Sequence, residues 1–354
     1  MTMRRLINLK RVEARRIYLT YFIVILAYVI CQTMSSTKFL SSSMRGMLVP
    51  ICAYMVMAVS LNLVVGISGE LSLGHAGFMS VGAFSGVAAA ILMQNFIPFA
   101  PVRLALAMII AAIFAAIAGF LIGIPVLRLK GDYLAIVTLA FGEIIKSILN
   151  NFYFGVDSGG LHFSMLTDTT RLLKGGRLII RGPMGISGIQ KISTFPAGFI
   201  LLIISLMIVF NMVNSRSGRA FMAIRDDRIA AESIGLDITK YKMIAFVMSA
   251  ALAGAAGALF AMNYSTIVAN KFDFNTSILI LVFVVLGGQG NMLGGIIAAA
   301  VLTILPEKLR QFSDYRMLLY AIILIVMMLA TNNAEIKYFL NRLNPFKRKE
   351  TEAE

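Results

Sequence analysis

The stretch Leu63-Val-Val-Gly-Ile-Ser-Gly-Glu-Leu-Ser-Leu-Gly-His-Ala-Gly77 places an acid, two hydroxyls and an imidazole in sequence otherwise fit for lipid. Glu70, Ser72 and His75 serve no purpose in a plain membrane anchor, which needs only about 20 apolar residues to cross the hydrocarbon core. Polar groups at that depth are costly, and irregular backbone survives there only against protein or a water-filled cavity. A second stretch, Leu286-Gly-Gly-Gln-Gly-Asn-Met-Leu-Gly-Gly295, sets Gln289 and Asn291 in a similar glycine-rich turn, and Asn62 precedes the first. Weak, transient hydrogen bonds to a passing solute are the chemistry these types support. The expected translocation path is therefore lined by Asn62, Glu70, Ser72, His75, Gln289 and Asn291.

Bond-making chemistry finds no support. The phosphate-loop pattern of ATP hydrolysis is absent from the sequence, as is a nucleophile-elbow pattern. His75 and His162 stand far apart, with no ligand spacing that suggests zinc. The expectation is a non-enzyme with no catalytic residue, no metal site and no cofactor of its own.

The elements that must position these residues are membrane helices. Hydrophobic residues make up 59% and charged ones 14%, and mean hydropathy is +0.85. The net charge of +15 is read as basic loops setting orientation, without a nucleic-acid partner. Cys31 and Cys52 lie in apolar runs and imply no disulfide framework. Charge-free runs cover 17–37, 46–69, 71–102, 104–127, 192–215, 243–270, 274–306 and 317–334, and a less apolar span covers about 131–152. Arg4, Arg5, Lys10, Arg11, Arg15 and Arg16 at one end, and Lys337, Arg342, Lys347, Arg348 and Lys349 at the other, predict cytoplasmic termini and an even number of crossings. Splitting the long run 274–306 at its glycine turn gives ten. The expected fold is an all-α integral membrane protein of about ten transmembrane helices, some short or broken at glycine-rich segments. Its parts are a basic cytoplasmic N-terminus, 1–16, a transmembrane region, 17–334, and a charged cytoplasmic tail, 335–354. Segment 153–191 is expected outside, although Arg171, Lys174, Arg177, Arg181 and Lys191 run against the charge rule. Paired glycine-broken segments are the sequence pointer to a transporter's site.

The cytoplasmic loop 215–240 carries its own punctuation. Asp226 or Asp227 can cap a short helix, and Gly235 can close it in a left-handed conformation. Between them lie Arg228-Ile-Ala-Ala-Glu-Ser-Ile234. Ala230 and Ala231 let a partner groove approach closely. Within the span 131–152, Glu143 and Lys146 lie one turn apart and are expected to satisfy each other.

Four stretches taken in order resemble the membrane permease of branched-chain amino-acid ABC importers, the LIV-type M subunit. They are 60–78, Arg128-Leu-Lys-Gly-Asp-Tyr-Leu-Ala-Ile-Val-Thr-Leu-Ala-Phe-Gly-Glu-Ile-Ile145, the 215–240 loop continued to Leu259, and 286–295. The resemblance implies a translocation path for leucine, isoleucine and valine in a prokaryotic cytoplasmic membrane. It implies a paralogous permease partner in a heterodimer, two ATP-binding subunits that hold the ATP and magnesium, and an extracytoplasmic amino-acid-binding protein. It also implies that the loop is the coupling helix, with Arg225, Asp226, Asp227, Ala230, Ala231 and Gly235 contacting the ATPase. The usual Glu-Ala-Ala, three residues, Gly pattern keeps its spacing, but Ile229 stands where the glutamate belongs. The family's outer Gly-Ile-Pro stretch is replaced by Arg181-Gly-Pro-Met-Gly-Ile-Ser-Gly-Ile-Gln190. Two readings compete: a urea or short-amide permease of the same family, and a stand-alone secondary transporter, which needs no coupling loop.

Overall fold

A computed structural model describes residues 3–37, 41–129, 131–157, 160–165, 176–310 and 315–332. The tail 335–354, and Arg171 and Lys174, lie outside the described residues. The apolar runs form helices α1 (Met3–Ser36), α2 (Ser42–Asn62), α3 (His75–Leu92), α4 (Ala100–Val126), α5 (Asp132–Asn150) and α6 (Phe195–Asn214). Two short helices, α7 (Arg216–Asp226) and α8 (Arg228–Ser233), follow, then α9 (Ile238–Ala261), α10 (Phe274–Gly287), α11 (Met292–Lys308) and α12 (Arg316–Asn332). Among the described residues, eight helices are long and apolar enough to cross a membrane. The expected ten also includes α11 and α12, at 17 residues each shorter than those eight.

Two long charge-free runs are broken. Run 274–306 parts at residues 288–291 into α10 and α11, as its turn predicts. Run 71–102 does not hold one helix. It becomes helical only at His75, Pro98 lies in the connection between α3 and α4, and Pro101 sits in the first turn of α4.

The purely helical expectation is corrected. The connection between α5 and α6 contains β1 (Phe152–Asp157), β2 (Gly160–Met165), β3 (Arg177–Arg181) and β4 (Ile186–Ser187), and β5 (Thr266–Ile267) follows α9. The order β2-β1-β3 makes one antiparallel sheet. A second, β4 with β5, fastens this connection to the one between α9 and α10. Aromatic and branched residues such as Phe152, Phe154, Val156, Ile179 and Ile180 favour strands, and charge counting alone passed over that signal.

The core of residues 3–299 is the bundle of α3, α4 and α9, with α2 packed on α9, α6 and α10. Lipid gives helices no hydrophobic reason to associate, so small residues that allow close van der Waals approach hold them together. Gly82 of α3 lies so close to the Gly254 backbone of α9 that a Cβ there has no room. The next turn repeats the pattern, with Gly86 against Ala258 and Ala111. On the opposite face of α4, Ile109, Ile113, Phe114, Ile117, Phe120 and Leu121 are exposed. A stripe that apolar suits the interior of a membrane and not water. The described residues from 300 onward form a separate unit that holds the end of α11 and α12.

Candidate functional site

The site is built around the end of α2. After Asn62 the chain takes one wide π-turn, Leu63–Ile67, and leaves helical structure until His75. Ser68 N–H bonds Leu63 O at 3.1 Å and Glu70 N–H bonds Val64 O at 3.1 Å, so the normal ladder stops. Gly69 turns the chain with φ +75°, a conformation glycine adopts at no steric cost. Broken backbone inside a membrane protein needs other partners, and neighbouring elements supply them. Thr138 Oγ1 of α5 accepts from Leu73 N–H at 3.0 Å. Ser277 Oγ of α10 accepts from Ala76 N–H at 3.1 Å. Arg225 of α7 donates from Nη1 to Gly66 O at 2.9 Å.

The residues expected along a path fall into two groups. Asn62, Ser72 and His75 are buried. Asn62 Oδ1 accepts from Gly290 N–H at 2.8 Å, which ties the first break to the turn between α10 and α11. His75 Nε2 lies 2.8 Å from Ser60 Oγ, and Ser60 Oγ lies 2.9 Å from Met57 O. With the hydroxyl proton on Met57 O, the imidazole is the donor to Oγ. Asn62 Nδ2 and Ser72 Oγ are buried without a partner. Glu70 forms an ion pair with Lys242 of α9, and their side chains are only 12% and 7% exposed. Gln289 and Asn291 are exposed on the turn, where Asn291 Oδ1 accepts from Gly294 N–H at 3.2 Å in the first turn of α11.

The second half of the site is the loop after α6. Ser215 caps α7 by accepting from Gly218 N–H. Asp227 caps α8: its Oδ1 accepts from Ile229 N–H at 2.9 Å and Ala230 N–H at 3.0 Å. Gly235, with φ +84°, closes it, and Leu236 N–H reaches back to Ala231 O at 3.1 Å. Ala231 packs with Ile224 and Ile238, while Ala230 is exposed. Ile229 and Ile234 are 78% and 77% exposed. Asp226 is exposed and accepts from Arg225 at 3.1 Å.

Residues 43–331 match the family described as branched-chain amino acid transport system, permease component. The chain belongs to this permease family. It is 36% identical over 291 residues to high-affinity branched-chain amino acid transport system permease protein LivM of Salmonella typhimurium, and equally to that of Escherichia coli. Each match covers 78% of this chain and 66% of the relative, so the chain spans just under two thirds of those relatives' length. The probable LivM of Methanocaldococcus jannaschii is 25% identical over 72% of this chain and 78% of its own. No solved structure matches.

Several of the permease's site residues escaped sequence reasoning. Lys242 is the main one, and it had a signal: a lone acid in an apolar stretch calls for a counter-ion, and Lys242 is a lysine at the edge of an apolar helix. Ser249, whose hydroxyl donates to Ser60 O at 2.6 Å, Thr138 and Ser277 carried none, because each looks like an ordinary small residue of a membrane helix. Glu143 and Lys146 pair with each other on α5, as their spacing predicts.

Proposed function

We propose that this permease is the membrane subunit of an ATP-driven importer of leucine, isoleucine and valine in a prokaryotic cytoplasmic membrane. It pairs with a paralogous permease and two ATP-binding subunits, and an extracytoplasmic binding protein delivers the amino acid. ATP hydrolysis belongs to the partners. The observation that carries this reading is α8. A six-residue helix, capped at both ends and lying between two membrane spans, presents Ile229 and Ile234 to solvent. Large apolar side chains so exposed mark a docking surface. With Ile229 where the family carries glutamate, this contact to the ATPase is apolar.

The path runs beside the two broken segments. Gln289 and Asn291, exposed on their turn, meet the passing amino acid. The buried Asn62, Ser72 and His75 and the largely covered Glu70 hold the wall. Only weak contacts are wanted there, because a ligand bound tightly in one state does not move on. The strands β1–β5 stand at the end of α6 opposite α8 and receive the binding protein.

Co-purification tests the reading. The chain carries an affinity tag and is expressed with candidate ATP-binding and permease subunits. Recovery of both, lost on Ile229→Glu or Ala230→Glu, supports it. A folded chain that never retains an ATP-binding subunit, and that moves amino acids alone in liposomes, overturns it in favour of a secondary transporter.

A further inference from the structure

The broken segment is gripped at two points, and the two gripping residues bracket α8. Arg225 lies two residues before its cap, Asp227. Lys242 lies in the second turn of α9, just after it. Arg225 is aimed: Nε and Nη2 both donate to Asp226 Oδ1, at 3.2 and 3.1 Å, which leaves Nη1 to reach Gly66 O at 2.9 Å. Arg225 and Asp226 are 40% and 68% exposed, so the Gly66 carbonyl and the space beside Gly69, more than this ion pair, fix the arm. The backbone it meets is prepared for it. A Cβ on Gly69 would fall 2.6 Å from Arg225 Cγ, so the arm lies in space that only glycine leaves. Glu70 N–H turns to Val64 O and not to Gly66 O, so the carbonyl at the break takes its proton from the loop. Four residues on, Glu70 is held by Lys242 in surroundings that exclude most water.

These contacts make a short mechanical route. A displacement of α8 reaches the break through two charged side chains, without passing along the whole of α9. We infer that Arg225 and Lys242 are positioning residues that carry the movement of α8 to residues 66–70, so that the break, rather than a whole helix, is the part of the path that opens. This rests on the importer reading above. A static staple has the same contacts but a different consequence: its loss leaves coupling intact.

The test uses the full assembly in proteoliposomes, with ATP hydrolysis and leucine uptake measured on the same preparation. Arg225→Ala should lower the leucine taken up per ATP hydrolysed on the same preparation about tenfold or more. Amide exchange at Ser68–Gly74 should quicken, with the α3–α9 core unchanged. Lys242→Arg, which keeps the charge, should retain uptake, and the exchanged pair Glu70→Lys with Lys242→Glu should recover part of what either single change loses. Wild-type uptake per ATP by Arg225→Ala, or unchanged exchange at Ser68–Gly74, overturns the inference while leaving the importer reading standing. A wild-type chain that retains no ATP-binding subunit overturns both.

Discussion

Replacing Lys242 with methionine leaves Glu70 buried with no cation beside it. The side chains of the pair are 7% and 12% exposed, so water offers little relief. Breaking such a pair from one side costs about 3–5 kcal/mol, because the remaining charge stays uncompensated. Replacing both partners by apolar residues, Glu70→Leu with Lys242→Met, removes the stranded charge and should come within about 1 kcal/mol of wild type. Reversible unfolding of the detergent-solubilised chain by added SDS, followed by far-UV circular dichroism, measures each value. A single-variant loss below about 1 kcal/mol at pH 7 is what a solvated surface pair gives. That result, or a double variant as damaged as the single, means that Glu70 and Lys242 are not a buried pair.

Gly82→Ala should cost about 1–3 kcal/mol in the same unfolding assay, because its Cβ would meet the Gly254 backbone and force α3 from α9; a neutral result means that contact is loose. Asp227→Ala removes the acceptor of two N–H groups and should cost α8 about 1 kcal/mol. Hydrogen exchange should show faster amides confined to 228–233. Ile229→Glu and Ile234→Glu should leave the unfolding midpoint within experimental error, since both side chains are over three-quarters exposed, yet abolish recovery of the ATP-binding subunit on the tagged chain. Normal recovery places the ATPase contact elsewhere.

The features legible in the sequence were those with local causes. Gly66, Gly69 and His75 announce a broken helix, and the structure breaks between Ile67 and His75. The glycines of 287–295 announce a turn, and α10 ends at Gly287. Asp227 and Gly235 announce the ends of α8, with Asp227, one of two candidate caps, making both bonds. What stayed hidden depends on helices distant in the chain. Nothing local says that Glu70 meets Lys242 or that Arg225 reaches Gly66. Those meetings follow from how closely Gly82 and Gly254 let α3 and α9 approach, and from where α7 lands after α6. The strands between Phe152 and Ser187 were overlooked for another reason. Charge counting assigns a loop to one side of the membrane and says nothing of the alternation of residues within it.

Uptake of radiolabelled leucine into proteoliposomes decides between an ATP-driven importer and its rivals. The vesicles hold this permease with its partner permease and the two ATP-binding subunits, ATP inside and the binding protein outside. Leucine should accumulate only when ATP, the binding protein and the ATP-binding subunits are all present. Accumulation by this chain alone without ATP, or a complete assembly that hydrolyses ATP and moves urea but no leucine, would contradict the account.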